Sequence, residues 1–444
     1  MPLVPRALRL PSALVVTLLA AAAAVLGAPG TASATNVATP GNFTGYGFDQ
    51  CLAPSQDAMD SWLHSSPFWA VGIYISGDSR ACPSQPNLTP RWISAQLRKG
   101  WRLLPITLGP QASCTTRERY LSQVRISADP TNRYATARRQ GRGEALKTVN
   151  RAQRLGLSVR STLWYDIEAF DITPTNCRES ALSFLSAWTK KLHRLHYVSG
   201  VYSSAASGVK MLDDAMTNRP GKFAMPDQIW IADWNGRADV YSSYVRNSSW
   251  MPHKRVHQYR GGHDETWGGV RINIDSNFLD VGTGSVAPRP LELCGGVDID
   301  FRDYPTVRLG SRGPLVAAGQ CLLSRGGWYD GRVDGVFDTE TRRAVREFRI
   351  SAGISRGRVL SRSPWTALLV RGEDDPLMKY GSAERAVRRL QRALNAADAA
   401  GLSPAGVFAA RTTTAVKAYQ REHGMAATGV VTGRLWKLLR AGTR

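Results

Sequence analysis

Short apolar runs alternate with amphipathic segments between residues 43 and 282. This alternation is typical of βαβ units and therefore of a parallel sheet. Helices are predicted between the apolar runs, for instance at 90–99, 143–155 and 180–195. The eight predicted strands are 45–49, 70–76, 103–108, 163–168, 198–203, 229–232, 256–259 and 272–275.

Eight parallel strands in about 240 residues is the expected size of a (β/α)8 TIM barrel, which we place at residues 43–282. A doubly wound open sheet is the alternative, but the Gly-rich phosphate loop of that class is missing. The segment 283–303 contains Gly, Pro and Ser together with Gly295-Gly296 and is predicted to be a linker. The fold class is therefore α/β, with further domains after the linker.

The pattern after the linker is helical and repeats. Ala386, Val387, Leu390 and Leu394 form one apolar helical face. The positions that recur 71 residues later are 320, 335, 337, 341, 344, 359 and 365. We predict two domains of three short helices, at 304–371 and 378–442. An ordinary three-helix repeat with some other partner is the alternative.

Each repeat carries the same short motif between its first two helices. The first has Gly335, Phe337, Thr341 and Ala344, and the second ends its motif on Tyr419-Gln420. The pattern resembles the type-one peptidoglycan-binding module. This resemblance implies that peptidoglycan or a related cell-wall glycan is the partner.

The N-terminus has the three parts of a secretory signal. Arg6 and Arg9 precede an apolar run at 14–26, and Ala32-Ser33-Ala34 offers a cleavage site. We therefore predict a signal peptide at 1–34 and a secreted protein, extracellular or associated with the cell wall, without stable membrane insertion. A retained N-terminal anchor is the alternative.

The net charge limits the kinds of binding partner, and the cysteine content indicates disulfides. The net charge is +22, and residues 304–444 carry 24 Lys and Arg against 11 Asp and Glu. Outside the cell such a field attracts wall polymers or anionic lipid, so a nucleic-acid partner is not expected. Six cysteines without a CxxC pair favour disulfides. The histidines do not have the spacing of a known metal-binding motif, so we predict no metal and no cofactor. We also predict that the protein is a monomer.

Four acids follow the ends of predicted strands, where TIM barrels place their active sites. They are Asp49, Asp166, Glu168 and Asp275. Asp166 and Glu168 are two apart on one strand, so both are expected to face the barrel mouth. Crowded carboxyls raise one another's pKa, and a protonated Glu beside an ionised Asp is the pair that glycoside cleavage needs.

Several short blocks surround these acids: Gly47-Phe48-Asp49, Tyr165–Glu168, Trp230–Ala232, His257–Tyr259 and Ile274–Asn277. They resemble the Rv2525c-like glycoside-hydrolase-like family and are similar to family 25 lysozymes, although His257 stands where the lysozymes usually have Trp. The resemblance covers about residues 45–280.

The resemblance implies a role for each acid. Glu168 is the general acid, and Asp166 orients the N-acetyl group or stabilises the positive charge. Asp49 and Asp275 tune this pair and bind hydroxyls. The expected substrate-binding residues are Tyr74, Tyr202, Trp230, Trp234, Gln258 and Tyr259. The strand map also predicts disulfides 51–82 and 114–177, with 294–321 as a further pair.

Two functions stay open at this stage. The first is a lysozyme-like glycoside hydrolase that cleaves peptidoglycan. The second is a non-catalytic glycan-binding protein with a degenerate hydrolase barrel, for which the altered aromatic block speaks. The intact carboxylates favour the enzyme.

Overall fold

The computed structural model describes Met1 and residues 36–444, so the predicted signal peptide lies outside the described residues. Eight strands form one closed barrel in sequence order. The barrel and its alternating helices confirm the predicted α/β barrel class. The strands are β1 (Phe43–Asp49), β2 (Ala70–Ser76), β3 (Arg102–Thr107), β4 (Thr162–Asp166), β5 (Val198–Ser204), β6 (Gln228–Ala232), β7 (Lys254–Trp267) and β8 (Val270–Val281).

The prediction of eight parallel strands is wrong for the last one. Strands β1 to β7 pair in parallel, whereas β8 runs antiparallel to both β7 and β1. Only Gly268 and Gly269 separate β7 from β8, and their φ angles of +59° and +81° favour glycine. A connection of two residues makes a hairpin and leaves no room for a crossover helix.

Side chains alternate between the inside of the barrel and its helix-covered outside. Phe43, Leu104, Trp164, Trp230 and Leu279 belong to the apolar cluster inside the barrel. Small residues on neighbouring strands make room for these rings: a Cβ at position 200 would lie 2.4 Å from the Trp164 ring. The closed lower barrel leaves space for polar side chains only near the strand ends.

Six helices surround the barrel, and the predicted disulfides tie its loops together. Cys51 bonds to Cys82 and Cys114 to Cys177, so both predicted rim disulfides are confirmed. The helices are α1 (Gln56–Ser65), α2 (Pro90–Arg98), α3 (Glu118–Leu121), α4 (Thr131–Arg154), α5 (Thr175–Arg194) and α6 (Lys210–Asn218).

Two three-helix modules follow the barrel, each with its own apolar core. Cys294 bonds to Cys321 and joins the linker to the first module, which confirms the third pair. The first module has α7 (Pro314–Arg325), α8 (Thr339–Ser351) and α9 (Arg362–Leu369); the second has α10 (Arg385–Asp398), α11 (Ala410–Glu422) and α12 (Gly433–Arg440).

The repeated Gln and Thr explain why the motif recurs. Gln320 Nε2 donates to the Val336 carbonyl (3.0 Å) and Thr341 Oγ1 (3.2 Å). The second module repeats the pattern, because Gln391 Nε2 donates to Val407 O and Thr412 Oγ1, both at 3.0 Å. Each Gln thereby satisfies the buried polar groups of the loop between the first two helices.

The second module packs directly on the barrel. The Lys379 ammonium is buried and donates to the carbonyls of Leu63 (2.7 Å) and Ser66 (3.0 Å) at the end of α1. The Tyr380 ring contacts Tyr46 and Phe278, with centroids 5.0 and 5.8 Å away. Tyr46 lies on β1 and Phe278 on β8. Because β7 and β8 form a hairpin, no crossover helix joins them to cover this side, and the second module packs there instead. Within residues 36–444, no helix combines the length and apolarity of a membrane span.

Candidate active site

Asp49 and Asp275 meet at the mouth of the barrel, the end at which β1 to β7 finish. Asp49 is the last residue of β1 and is paired in register with Asp275 of β8. Because β8 runs antiparallel, Asp275 reaches the mouth from the interior of its strand and not from a strand end. A Cβ on Gly72 would lie 2.4 Å from the Asp49 Cβ, so β2 must carry glycine where the Asp49 side chain crosses it.

Gln258 joins these two carboxyl groups. Its Nε2 amide donates to Asp49 Oδ1 (3.2 Å) and to Asp275 Oδ2 (3.3 Å). Its Oε1 accepts from the Tyr202 hydroxyl (3.1 Å) and from Trp234 Nε1 (2.9 Å). Gln258 was expected to bind substrate, but its hydrogen bonds are made to the protein. It therefore positions the carboxyl groups and the rim tryptophan.

Asn277 holds Asp49 from below. Its Nδ2 amide donates to Asp49 Oδ1 at 2.6 Å, and its Oδ1 accepts from Trp230 Nε1 at 2.7 Å. Asn277 belongs to the Ile274–Asn277 block, for which the sequence predicted no role at this position. Alternation along the strand places its side chain on the same inward face as Asp275, and this could have identified it.

Asp166 is the most deeply buried acid of the cluster. It ends β4, is 1% exposed and accepts a long hydrogen bond (3.4 Å) from the Tyr74 hydroxyl. Its second oxygen, Oδ1, is buried without a hydrogen-bond partner among the described residues. Such a carboxyl is held in a costly environment, which is typical of functional sites.

Glu168 does not lie on the strand with Asp166, as the sequence predicted, but two residues beyond its end. Gln111 fixes this segment: its Nε2 donates to the Asp166 carbonyl (2.9 Å) and its Oε1 accepts from the Glu168 N–H (2.8 Å). The Glu168 carboxylate is partly exposed and forms an ion pair with Arg117 at 3.1 Å. Sequence reasoning missed both Gln111 and Arg117.

Burial dominates the electrostatics of the three aspartates. It raises the pKa of Asp49 from 3.8 to about 8, and the neighbouring Asp275 adds to the effect. Burial likewise raises the pKa of Asp166 well above its ordinary value, with Glu168 as the next cause, and raises the pKa of Asp275. Burial therefore favours the protonated form of all three aspartates, a feature that the sequence did not predict.

A cleft of about 190 Å3 gives access to the cluster. Asp49, Tyr74, Glu168 and Asp275 line it, and Arg119 adds a cation. Arg119 is held at the rim because its Nη2 donates to the Ser79 carbonyl at 2.7 Å. The cleft therefore presents acids inside and guanidinium groups at its edge, and the 51–82 disulfide forms part of its lining.

The aromatic residues that were expected to bind substrate do not all lie at the barrel mouth. Tyr74 and Tyr202 are half-buried beside the acids, and Trp234 lies on the rim with 67% of its surface exposed. Trp230 is completely buried inside the barrel, so its ring has no face for a sugar. Tyr259 follows Gln258 on β7 and therefore points out of the barrel, away from the acids. Trp230 and Tyr259 are thus corrections to the predicted binding set.

The residues 36–444 contain no group of three or more His, Cys, Asp or Glu side chains arranged to hold a metal ion. The cluster of acids is instead satisfied in part by Gln258, Asn277 and Tyr74, which are neutral donors.

A closed barrel with carboxyl groups at its mouth defines the class of glycoside hydrolase-like barrel proteins. The Rv2525c-like, glycoside hydrolase-like domain matches residues 60–279. The peptidoglycan binding domain matches residues 312–355 and 384–439. The chain thus consists of an Rv2525c-like, glycoside hydrolase-like domain followed by two peptidoglycan binding domains, and both resemblances are confirmed.

Solved structures show a limited likeness to this chain. An uncharacterized B. stearothermophilus protein is 17% identical, with a TM-score of 0.33, over 53% of this chain and 95% of its own. The Mycobacterium tuberculosis Tat-secreted protein Rv2525c in complex with L-tartrate is 13% identical, with a TM-score of 0.34, over 53% of this chain and 95% of its own. No curated protein matches the chain.

Proposed function

We propose that this protein is a secreted glycoside hydrolase that cleaves glycosidic bonds of peptidoglycan. The observation that carries the proposal is that Asp49, Glu168 and Asp275 line one cleft, with Asp166 directly behind its Tyr74 wall. The glycoside hydrolase-like barrel and the peptidoglycan binding domains together indicate work on cell-wall glycan. The three disulfides, which use all six cysteines, support an oxidising location outside the cytoplasm.

Glu168 is the proposed general acid. Glu168 and Asp275 line the cleft with partly exposed side chains, while Asp49 and Asp166 are buried. Asp275 is fixed by the Gly262 N–H and by Gln258, whereas the Glu168 carboxylate is bound, among the described residues, by the half-exposed Arg117 side chain alone. A bound glycosidic oxygen takes the position of Arg117 at Oε2. Once this ion pair is broken, Glu168 takes up a proton from water and donates it to the glycosidic oxygen as the bond to the anomeric carbon breaks. Gln111 keeps the segment in place during this step because it holds the backbone on both sides of Ile167.

The aspartates prepare the site around this transfer. Asp166 lies below Glu168, where it orients the N-acetyl group or stabilises the positive charge at the anomeric carbon. Asp49 and Asp275, joined by Gln258, bind sugar hydroxyls, and the nearby Asp49 carboxyl adds to the burial and the Glu168 charge that raise the pKa of Asp166. We propose a substrate-assisted reaction. The acetamido oxygen attacks the anomeric carbon as the leaving sugar departs, and water, deprotonated by the Glu168 carboxylate, then opens the resulting oxazoline at that carbon, so that configuration is retained. Inversion in an NMR time course contradicts this step.

The second candidate is a glycan-binding protein that does not cleave. The Arg117–Glu168 ion pair favours this candidate. The guanidinium group, 3.1 Å from Oε2, pairs with the ionised Glu168 carboxyl and blocks its approach to a glycosidic oxygen. His257 also differs from the aromatic residue at that position in the lysozymes, and its ring is buried against the Asp233 and Asp239 carbonyls.

One experiment separates the two candidates. Reducing ends released from purified peptidoglycan are measured for wild type, Glu168→Gln and a matched control, Glu292→Gln, in the exposed linker. We expect Glu168→Gln to lose about 10²–10⁴-fold in rate while Glu292→Gln retains it. A pull-down on the same walls should show equal binding for all three. Absence of release by wild type, with binding intact, rejects the enzyme.

A further inference from the structure

A cavity of about 650 Å3 lies between the linker and the two modules, away from the barrel mouth. Apolar linker residues Leu291 and Leu293 form part of its wall, and Leu322 and Leu369 contribute from the first module. The remaining lining is unusually basic. Its arginines are Arg325, Arg371, Arg385, Arg388, Arg389 and Arg392.

Helix α10 supplies most of this basic lining. Arg385, Arg388, Arg389 and Arg392 are spaced at i, i+3, i+4 and i+7, so they share one face of the helix. The first module lacks this feature, although its helix α7 has the same place in the repeat. The residues 71 positions earlier are Pro314, Ala317, Ala318 and Cys321. The arginine face therefore belongs to the second module and not to the shared fold.

The two modules fix the width of the cavity. Asn395 on α10 donates to the Phe301 carbonyl (2.9 Å), and Ala396 packs in the core of the first module. The linker reaches the same place because Cys294 is bonded to Cys321 on α7. The cavity is thus a feature of packed domains, not of one exposed loop.

Protein carboxylates neutralise only part of the positive charge. Asp300 contacts Arg388 and Arg392 at 3.7 and 3.5 Å, and Asp374 contacts Arg389 at 2.9 Å. In all, six arginines face the four carboxylates Asp300, Glu373, Asp374 and Glu384, which leaves a formal charge of +2.

Some of these donors are unused. Within the described chain, Arg388 Nε and Arg389 Nη1 are buried without a hydrogen-bond partner. Arg325, Arg371 and Arg385 are exposed around the cavity and make no ion pair with the described residues. Both features favour an anion, since a guanidinium group binds a carboxylate through two parallel hydrogen bonds.

We propose that this cavity binds the stem peptide of peptidoglycan through its carboxylates. An N-acetylated glycan strand offers sugar hydroxyls and amides, whereas the free carboxylates of peptidoglycan lie on the peptide. The apolar wall from the linker and first module suits the alkyl part of such a peptide. The site deepens the proposed function, because it assumes that the modules act on peptidoglycan. It also assigns peptide recognition to the modules and leaves glycan chemistry to the barrel.

The test compares a cavity variant with a matched surface variant of the full chain. The cavity variant is Arg325→Gln with Arg385→Gln, both exposed around the cavity. The control is Arg346→Gln with Arg411→Gln, which removes the same charge from exposed positions on α8 and α11. Binding is measured on purified sacculi and on peptide-free glycan strands. These strands are made with an amidase, and the lactyl carboxylates that it exposes are then blocked as amides, so that neither peptide nor free carboxylate remains.

On intact sacculi we expect the cavity variant to bind about tenfold more weakly than wild type, which corresponds to about 1.4 kcal/mol. The control variant should bind as wild type does, and peptide-free strands should not distinguish the three proteins. Equal binding by wild type and the cavity variant on sacculi overturns the proposal. The proposal is also overturned if the cavity variant loses as much binding on peptide-free strands as on sacculi, or if the control variant binds sacculi as weakly as the cavity variant does.

A soluble ligand removes the remaining dependence on insoluble walls. Titration with a synthetic stem tetrapeptide should give heat with wild type, and amidation of its carboxylates should abolish it. Circular dichroism of the cavity variant checks that it is folded. Peptide binding by a protein that releases no reducing ends rejects the hydrolase and keeps this site; release without peptide binding does the reverse.

Discussion

The barrel mouth and the outer side of β1 and β8 use buried charge in opposite ways. At the mouth, burial raises the pKa of Asp49, Asp166 and Asp275, and neutral donors satisfy them only in part. On the outer side, the second module inserts the single cation Lys379. Burial lowers the pKa of its ammonium group, but two backbone carbonyls accept hydrogen bonds from it. The Trp69 and Trp101 rings, 5.2 and 5.4 Å away, add cation–π contacts.

The repeat shows that this contact is particular to the second module. Lys379, Tyr380 and Gly381 correspond to Arg308, Leu309 and Gly310 in the first module, 71 positions earlier. The first-module turn is exposed, with Leu309 at 50%, whereas Lys379 and Gly381 are buried against the barrel. One fold thus carries a free turn in one copy and a docking turn in the other. Charge at the mouth is expected to serve activity, and charge under the docking turn to serve stability.

The largest expected effect of this difference is at Asp49. A carboxyl with a pKa raised from 3.8 to about 8 opposes folding as pH rises through that window, because the folded protein must keep a proton that the unfolded chain releases. Asp49→Asn should therefore raise the free energy of unfolding by about 1–3 kcal/mol at pH 8 and very little at pH 4. Peptidoglycan cleavage should fall by about 100-fold.

Chemical unfolding across pH 4–8, together with reducing-end release, checks both halves of this prediction. Asp298→Asn, in the exposed linker, is the matched control and should change neither. A stability gain that is the same at pH 4 and pH 8 contradicts the assignment of the raised pKa to Asp49.

Tyr380 gives the next largest effect and the reverse pattern. Tyr380→Ala removes ring contacts with Tyr46 and Phe278 and should cost about 2 kcal/mol of stability. Cleavage of soluble glycan strands should stay unchanged, since the mouth is not touched. Hydrogen exchange of the β1 and β8 amides and chemical unfolding measure the loss. Leu309→Ala, the same turn in the first module, should stay within about 0.5 kcal/mol; equal losses for both variants remove the distinction between the turns.

Trp234 gives the smallest effect and concerns the mouth alone. Its ring is exposed on the rim and is positioned by the hydrogen bond to Gln258. Trp234→Ala should raise KM by about fivefold, or about 1 kcal/mol, with kcat little changed, because a flat sugar-stacking surface is lost. Trp234→Phe keeps a ring and should restore most of the affinity, while Tyr244→Ala, an exposed neighbour, should act as wild type. A drop in kcat without a change in KM contradicts a binding role.

Features with a local signal could be predicted from the sequence. The helical modules follow from an apolar period and a repeat of 71 residues, and the Gln320 and Gln391 hydrogen bonds show why that spacing is kept. The inward direction of Asp49 and Asp275 follows from alternation along strands. The rim disulfides follow because consecutive strands of a barrel bring consecutive loops together.

Features that depend on contacts distant in sequence could not. Alternation is the same whichever way a strand runs, so the reversal of β8 had only Gly268-Gly269 as a signal. Gln111 is more than 50 residues from Asp166, and nothing local marks it as a clamp. Trp230 alternates inward as predicted, but its depth in the barrel, which decides its exposure, depends on the neighbouring strands.

The reversed strand also determines how the barrel mouth can reach an insoluble polymer. Phe43 at the start of β1 is paired with Val281 at the end of β8, so the barrel polypeptide enters and leaves at the end opposite the mouth. No covalent connection to the linker crosses the cleft. A cross-linked mesh can therefore be approached head-on, with the anchoring modules behind the working end and outside its path.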